Sequence, residues 1–143
     1  MLERASVEEL ARREWLAQRV IGELAAAGLP VVPRAADPAL LQGAEVYVDP
    51  LAAAHASVIV SWHCHSRLDD ALHRAVQQQQ AEDPAFRHWA TVLEAMRTAV
   101  SQILSSAGYT VRDSTNDYAP LTLEVLDGPG PGVFPLWWSR EQE

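Results

Sequence analysis

The sequence predicts an α+β fold: a pseudo-twofold repeat of α-β-β-β units forming a mainly antiparallel sheet of about six strands, with two long helices on one face. Three observations carry this expectation. First, Leu24-Ala-Ala-Ala27-Gly28-Leu-Pro-Val31 recurs 80 residues on as Leu104-Ser-Ser-Ala107-Gly108-Tyr-Thr-Val111. Second, Val46-Tyr-Val48 is echoed by Leu123-Glu-Val125, and Val58-Ile59-Val-Ser-Trp62 by Val133-Phe134-Pro-Leu-Trp137. Apolar, Gly and Trp positions matched in this way specify packing rather than chemistry. Third, the connections between predicted strands run to about 4 to 10 residues, enough for hairpins and short for parallel crossovers.

Each element follows from local signals. Ser6-Val-Glu-Glu9 is a capping box, and Val7, Leu10, Ala17, Val20, Ile21, Leu24 and Ala27 recur at three and four residue steps up to Gly28, so the spacing predicts an amphipathic helix closed by a left-handed glycine. Val31-Val32, between Pro30 and Pro33, reads as a short edge strand. Arg34 to Gly43 reads as a loop in which Asp37 caps a single turn. Glu45 to Asp49 alternates, placing Val46 and Val48 on the covered face and Tyr47 on the other. Ser57 to His65 does the same, with Val58, Val60, Trp62 and Cys64 inward and Ile59, Ser61, His63 and His65 outward. Ser66-Arg-Leu-Asp69 starts an inserted helix over 66–80, which has no counterpart in the other half.

Asp83-Pro84 then opens the central helix, whose Phe86, Trp89, Leu93, Met96, Val100, Ile103 and Ala107 keep helical spacing up to Gly108. Strands are predicted at Tyr109–Arg112, Leu121–Leu126 and Gly132–Trp138. Asp113 to Pro120 reads as a polar turn region and Gly128-Pro-Gly-Pro-Gly132 as a reversal, with a frayed tail over 139–143. The expected organisation is one domain, 1–143, with half-repeats 6–62 and 84–138.

Composition narrows the chemistry. The 143 residues are 48% hydrophobic, ample for a core. All 11 basic residues are Arg, which excludes Schiff-base chemistry and the phosphate-binding Lys of a P-loop. A net charge of −8 and a pI near 5.0 argue against nucleic acid and against an anionic membrane surface. The first residues lack the pattern of a secretory leader, and no segment reaches the ~18 to 20 apolar residues of a membrane span. The single Cys64 fits a reducing compartment, so a cytoplasmic location is expected.

His63-Cys-His65 is the one cluster with ligand chemistry, because strand alternation would set two imidazoles on one face about 6 to 7 Å apart. A divalent metal there needs a third ligand, from among His55, His73, Glu45, Asp49 and Glu124, and no spacing selects one. The competing reading is a strand end exposing two polar side chains before a helix. Cys64, facing inward, reads as a small core hydrophobe. Asp113, Asn116 and Asp117 read as turn chemistry, lacking the Gly and Glu of a calcium loop. Tyr47, Ile59, Phe134, Leu136 and Trp138 are placed on the sheet face away from the helices. Apolar side chains there imply a partner, a ligand, another subunit, or partial cover by the 66–80 helix.

At the level of fold, the paired αβββ order resembles the vicinal-oxygen-chelate proteins, whose βαβββ modules enclose a small-molecule or metal cup; here each module lacks its leading strand. The α-βββ-α-ββ order is also similar to acidic, dimeric secretion chaperones, which carry a further helix after the last strand. Neither likeness assigns a role to a residue. The expectation is therefore a non-catalytic interaction or adaptor protein, acting as a homodimer or as a subunit of a larger assembly. The alternative is a small-molecule-binding protein or metal-dependent enzyme using a sheet-lined cup near His63 and His65.

Overall fold

A computed structural model describes residues 3–32, 42–51, 58–114 and 121–138. In chain order the elements are α1 (Val7–Ala26), β1 (Val31–Val32), β2 (Gly43–Val48), β3 (Val58–His63), α2 (Ser66–Gln77), α3 (Pro84–Ser106), β4 (Thr110–Asp113) and β5 (Leu123–Asp127). The fold is α+β, with three helices and a five-stranded mixed sheet of order β1-β2-β3-β5-β4. The single turn around Asp37, His55, Asn116, Asp117 and the tail lie outside the described residues.

Helix boundaries obey the capping chemistry. The Ser6 hydroxyl accepts from the Glu9 amide at 3.1 Å, and the Asp83 carboxylate from the Ala85 amide at 2.9 Å. Both long helices end in the same Schellman closure. Leu29 N–H donates to Leu24 O and Gly28 N–H to Ala25 O, while Tyr109 N–H donates to Leu104 O and Gly108 N–H to Ser105 O. Gly28 and Gly108 hold φ of +90° and +101°, the left-handed region that this motif requires.

Beyond that shared helix-glycine-strand start the repeat holds only in part: Val46 and Val48 of β2 and Leu123 and Val125 of β5 flank Val60 and Val58 of β3 from its two sides. β1 pairs parallel with β2, whereas β4 pairs antiparallel with β5. The parallel pairing was unexpected because a crossover normally needs a long connection. Here β1 is only two residues, so the chain returns less than ~7 Å, which ten residues span easily. Gly43 makes the close approach workable: a Cβ at this position would lie 2.4 Å from Pro30 O, the oxygen that accepts from Ala44 N–H.

The expected sixth strand, Gly132–Trp138, is a pair of turns instead, closed by Val133 N–H to Gly130 O and Trp138 N–H to Pro135 O. Pro135 has no N–H to give a ladder. β5 is also already paired on both sides, by β3 and β4, leaving no slot beside it. Trp137 is therefore not the structural counterpart of Trp62, which lies on β3 half-buried against the core.

α1 and α3 pack on one sheet face. Leu16, Ala17, Val20 and Leu24 of α1 and Val100 and Leu104 of α3 join Ala44, Val46, Val58, Val60, Leu123 and Val125 in one apolar cluster. Of the residues expected inward from α3, Leu93 and Val100 are buried, while Met96 and Ile103 are half-buried; the fully buried position is Leu104. α2 packs on α3 and ends at Gln77, where Gln79 at φ +53° terminates it.

A second set of contacts holds the β2–β3 connection to α1. Arg13, only 5% exposed, donates to Asp49 O at 2.6 Å and Leu51 O at 2.9 Å, and its Nε donates to Glu9 Oε1 at 3.0 Å. Hydrogen bonds from Arg12 and then Arg13 hold the Glu9 carboxyl at about 2 instead of 4.5.

Two outcomes are expected. Leu104→Ala should cost ~2 to 5 kcal/mol in urea unfolding, because it removes transfer energy and leaves a cavity in the centre of the cluster. For Glu9, the folded-state pKa lies below the unfolded one, so its contribution is complete above pH 4.5 and lost as pH falls toward 2. The stability difference between wild type and Glu9→Gln should accordingly be constant above pH 4.5 and shrink through that acid window in urea melts at successive pH values.

Candidate functional site

The residues singled out from sequence fall into two separate groups. On the sheet face opposite α1 and α3, Tyr47 stands directly across from Ile59, and Ile59 across from Glu124. The face is more ionic than expected. Glu124 is 5% exposed and accepts from Arg112 Nε at 2.8 Å, and Glu45, 8% exposed, sits across from Ser61. His63 Nε2 lies 3.5 Å from Glu45 Oε1, near enough for an ion pair once protonated but without hydrogen-bond alignment.

His65 is not beside His63 on the strand. β3 ends at His63, and His65 turns to become the N-cap of α2, its Nδ1 accepting from the Arg67 amide at 3.0 Å. Among the described residues no three His, Cys, Asp or Glu side chains converge as a metal cage would require. Cys64 is buried, and burial, together with Asp69 nearby, pushes its thiol up, away from the range of a nucleophile.

Phe134, Leu136 and Trp138 belong to a segment on the helix side. From Gly128 the chain crosses the C-terminal half of α1, where Arg19 Nη2 donates to Val133 O at 2.9 Å and its Nη1 to Gly130 O at 3.5 Å. The same guanidinium lies over the Trp15 ring, 5.1 Å from its centroid. One turn on, the buried Glu23 accepts from Trp137 Nε1 and, at 3.5 Å, from the Tyr109 hydroxyl. Burial pushes the Tyr109 phenol up, so it stays a donor. Trp137 and Trp138 meet edge to face, and Phe134 stacks on Trp138.

The pinned segment flanks two apolar recesses. One, of about 350 Å³, is lined by Ala26, Ala27, Ile103 and Trp137. The other, of about 450 Å³, has Trp15, Leu16, Gly130 and Pro131 in its lining, with Glu8, Arg12 and Asp127 beside them. Sequence reasoning missed Arg13, Arg19 and Glu23; the signal available was that Arg13 and Glu23 fall at helical spacing with Leu16, Val20 and Leu24, on the stripe itself.

The chain matches no protein-family model, no curated protein and no solved structure. Its functional reading therefore rests on geometry.

Glu23→Ala would leave the Trp137 and Tyr109 donors without their acceptor, at a cost of about 1–3 kcal/mol. Amide exchange at Val133 and Trp138 should quicken in that variant while the core of α3 stays protected. Unchanged exchange at those two amides would show that Glu23 does not hold the segment.

Proposed function

We propose that this chain is a non-catalytic interaction protein, a homodimer or a subunit of a larger assembly, and that segment 129–138 is its contact surface. One observation carries the reading: large apolar side chains project into solvent from a backbone that is itself fastened down. Val133, Phe134 and Trp137 are about half exposed and Leu136 is 72% exposed. Scattered apolar side chains are ordinary on a surface, whereas a contiguous group of this kind marks a contact. Anchoring by Arg19 and Glu23 lowers the ordering entropy that binding would otherwise cost. Trp15, 37% exposed and tied to the segment through Arg19, extends the patch.

Twofold pairing is the commonest closed solution for such a surface. Sedimentation across the micromolar range should show a concentration-dependent dimer. Leu136→Asp should raise its dissociation constant about tenfold or more, because it puts an unpaired charge into the contact. The thermal midpoint of the variant should stay near that of wild type, since Leu136 is exposed in the protomer. A wild-type chain that remained monomeric at high micromolar concentration would overturn the homodimer.

A further inference from the structure

A hollow of about 490 Å³ lies where α2 begins beside α3, lined by His65, Arg67, Leu68, Ala71 and His88. Its polar lining is made of donors. His65 caps α2 through Nδ1, which accepts from the Arg67 amide. A neutral imidazole whose Nδ1 accepts carries its proton on Nε2, so the cap leaves an N–H on the other side of the ring. The Arg67 guanidinium and the His88 ring have no hydrogen-bond or ion-pair partner among the described residues. Among the described residues no carboxylate lines the hollow, although the chain carries 19 Asp and Glu against 11 Arg. Asp70 lines a neighbouring recess together with His73, Arg74 and Arg67, which borders both.

An Arg fork and two imidazoles, all exposed around a half-buried apolar floor, complement an oxygen anion, which can accept from all three in place of water. The peptide dipoles at the start of α2 add about half a positive charge there. We propose that this hollow binds the oxyanion head, phosphate or carboxylate, of a small molecule whose apolar part lies on Leu68 and Ala71. It is independent of the contact surface on segment 129–138.

Phenyl phosphate and benzoate share a ring and differ in head group, so they serve as probes. In amide and side-chain NMR titrations at constant ionic strength, one or both should shift His65, Arg67, Leu68 and His88 saturably at millimolar concentration. Phenyl phosphate binding the tighter assigns a phosphate head, and benzoate a carboxylate. Arg67→Ala and His88→Ala should each weaken binding about tenfold, whereas Arg74→Ala, outside the lining, should leave it unchanged. His65→Asn keeps a capping side chain and loses the Nε2 donor, so it should weaken binding without unfolding α2. Failure of both probes to saturate, displacement by equimolar chloride, or equal loss with Arg74→Ala would overturn the proposal.

Discussion

Two irregular stretches, the start of the β2–β3 connection and segment 129–138, hang from three charged side chains of one helix. α1 buries Leu16, Val20 and Leu24 against the sheet, with Arg13 and Glu23 on the same stripe and the half-buried Arg19 beside it. Arg13 takes the carbonyls of the β2–β3 connection, Arg19 those of segment 129–138, and Glu23 the donors of Trp137 and Tyr109. Strands and helices satisfy their own backbone groups, but a connection lying on the protein needs partners from elsewhere. An arginine fork is suited to this, since it offers five donors and keeps its charge at every physiological pH.

This arrangement couples packing to surface. A buried polar group is costly when its donors or acceptors go unmet, so Glu23, and Arg13 beyond its pair with Glu9, depend on the loop groups they meet, and those groups in turn depend on α1 being seated. Seating α1 depends in turn on its apolar stripe. The exposed apolar side chains from Val133 to Trp137 are thus displayed by the same helix that closes the core, which makes their position a property of the whole fold and not of a loose tail. Arg12 and Glu9, on the solvent side of Arg13, extend the network outward.

Features that depend on neighbours along the chain were readable in the sequence. Ser6, Asp83, Pro84, Gly28 and Gly108 mark the helix ends because capping is satisfied within a few residues. Features that depend on distant partners were not. The echo of Trp62 in Trp137 matched apolar positions but ignored that Pro135 cannot donate and that β5 has a neighbour on each side. Alternation along β3 was extended past His63 to His65, yet the ladder stops at the Gly43–His63 pair, and beyond it the His65 ring is free to cap α2. A helical wheel rewards apolar residues, so it carries no signal for Arg13 and Glu23 on the buried stripe, whose place depends on the distant carbonyls and donors they meet. Arg67 and His88 are brought to one hollow by α2–α3 packing, which no spacing rule encodes.

The geometry also separates the two surfaces. His88 lies in the second turn of α3, while Ile103 and Ser106, beside Trp137, lie in its last turns. At 1.5 Å per residue the sixteen or so residues between them span about 24 Å. That is about three Debye lengths at physiological salt, so charge at the hollow is screened from segment 129–138. An occupant of one surface leaves the other uncovered and electrostatically undisturbed. α3 runs from one to the other, with Leu93, Val100 and Leu104 buried along it. A packed core of this kind moves between discrete arrangements or not at all, so coupling between the hollow and segment 129–138 would need a second packing of α3 on the sheet.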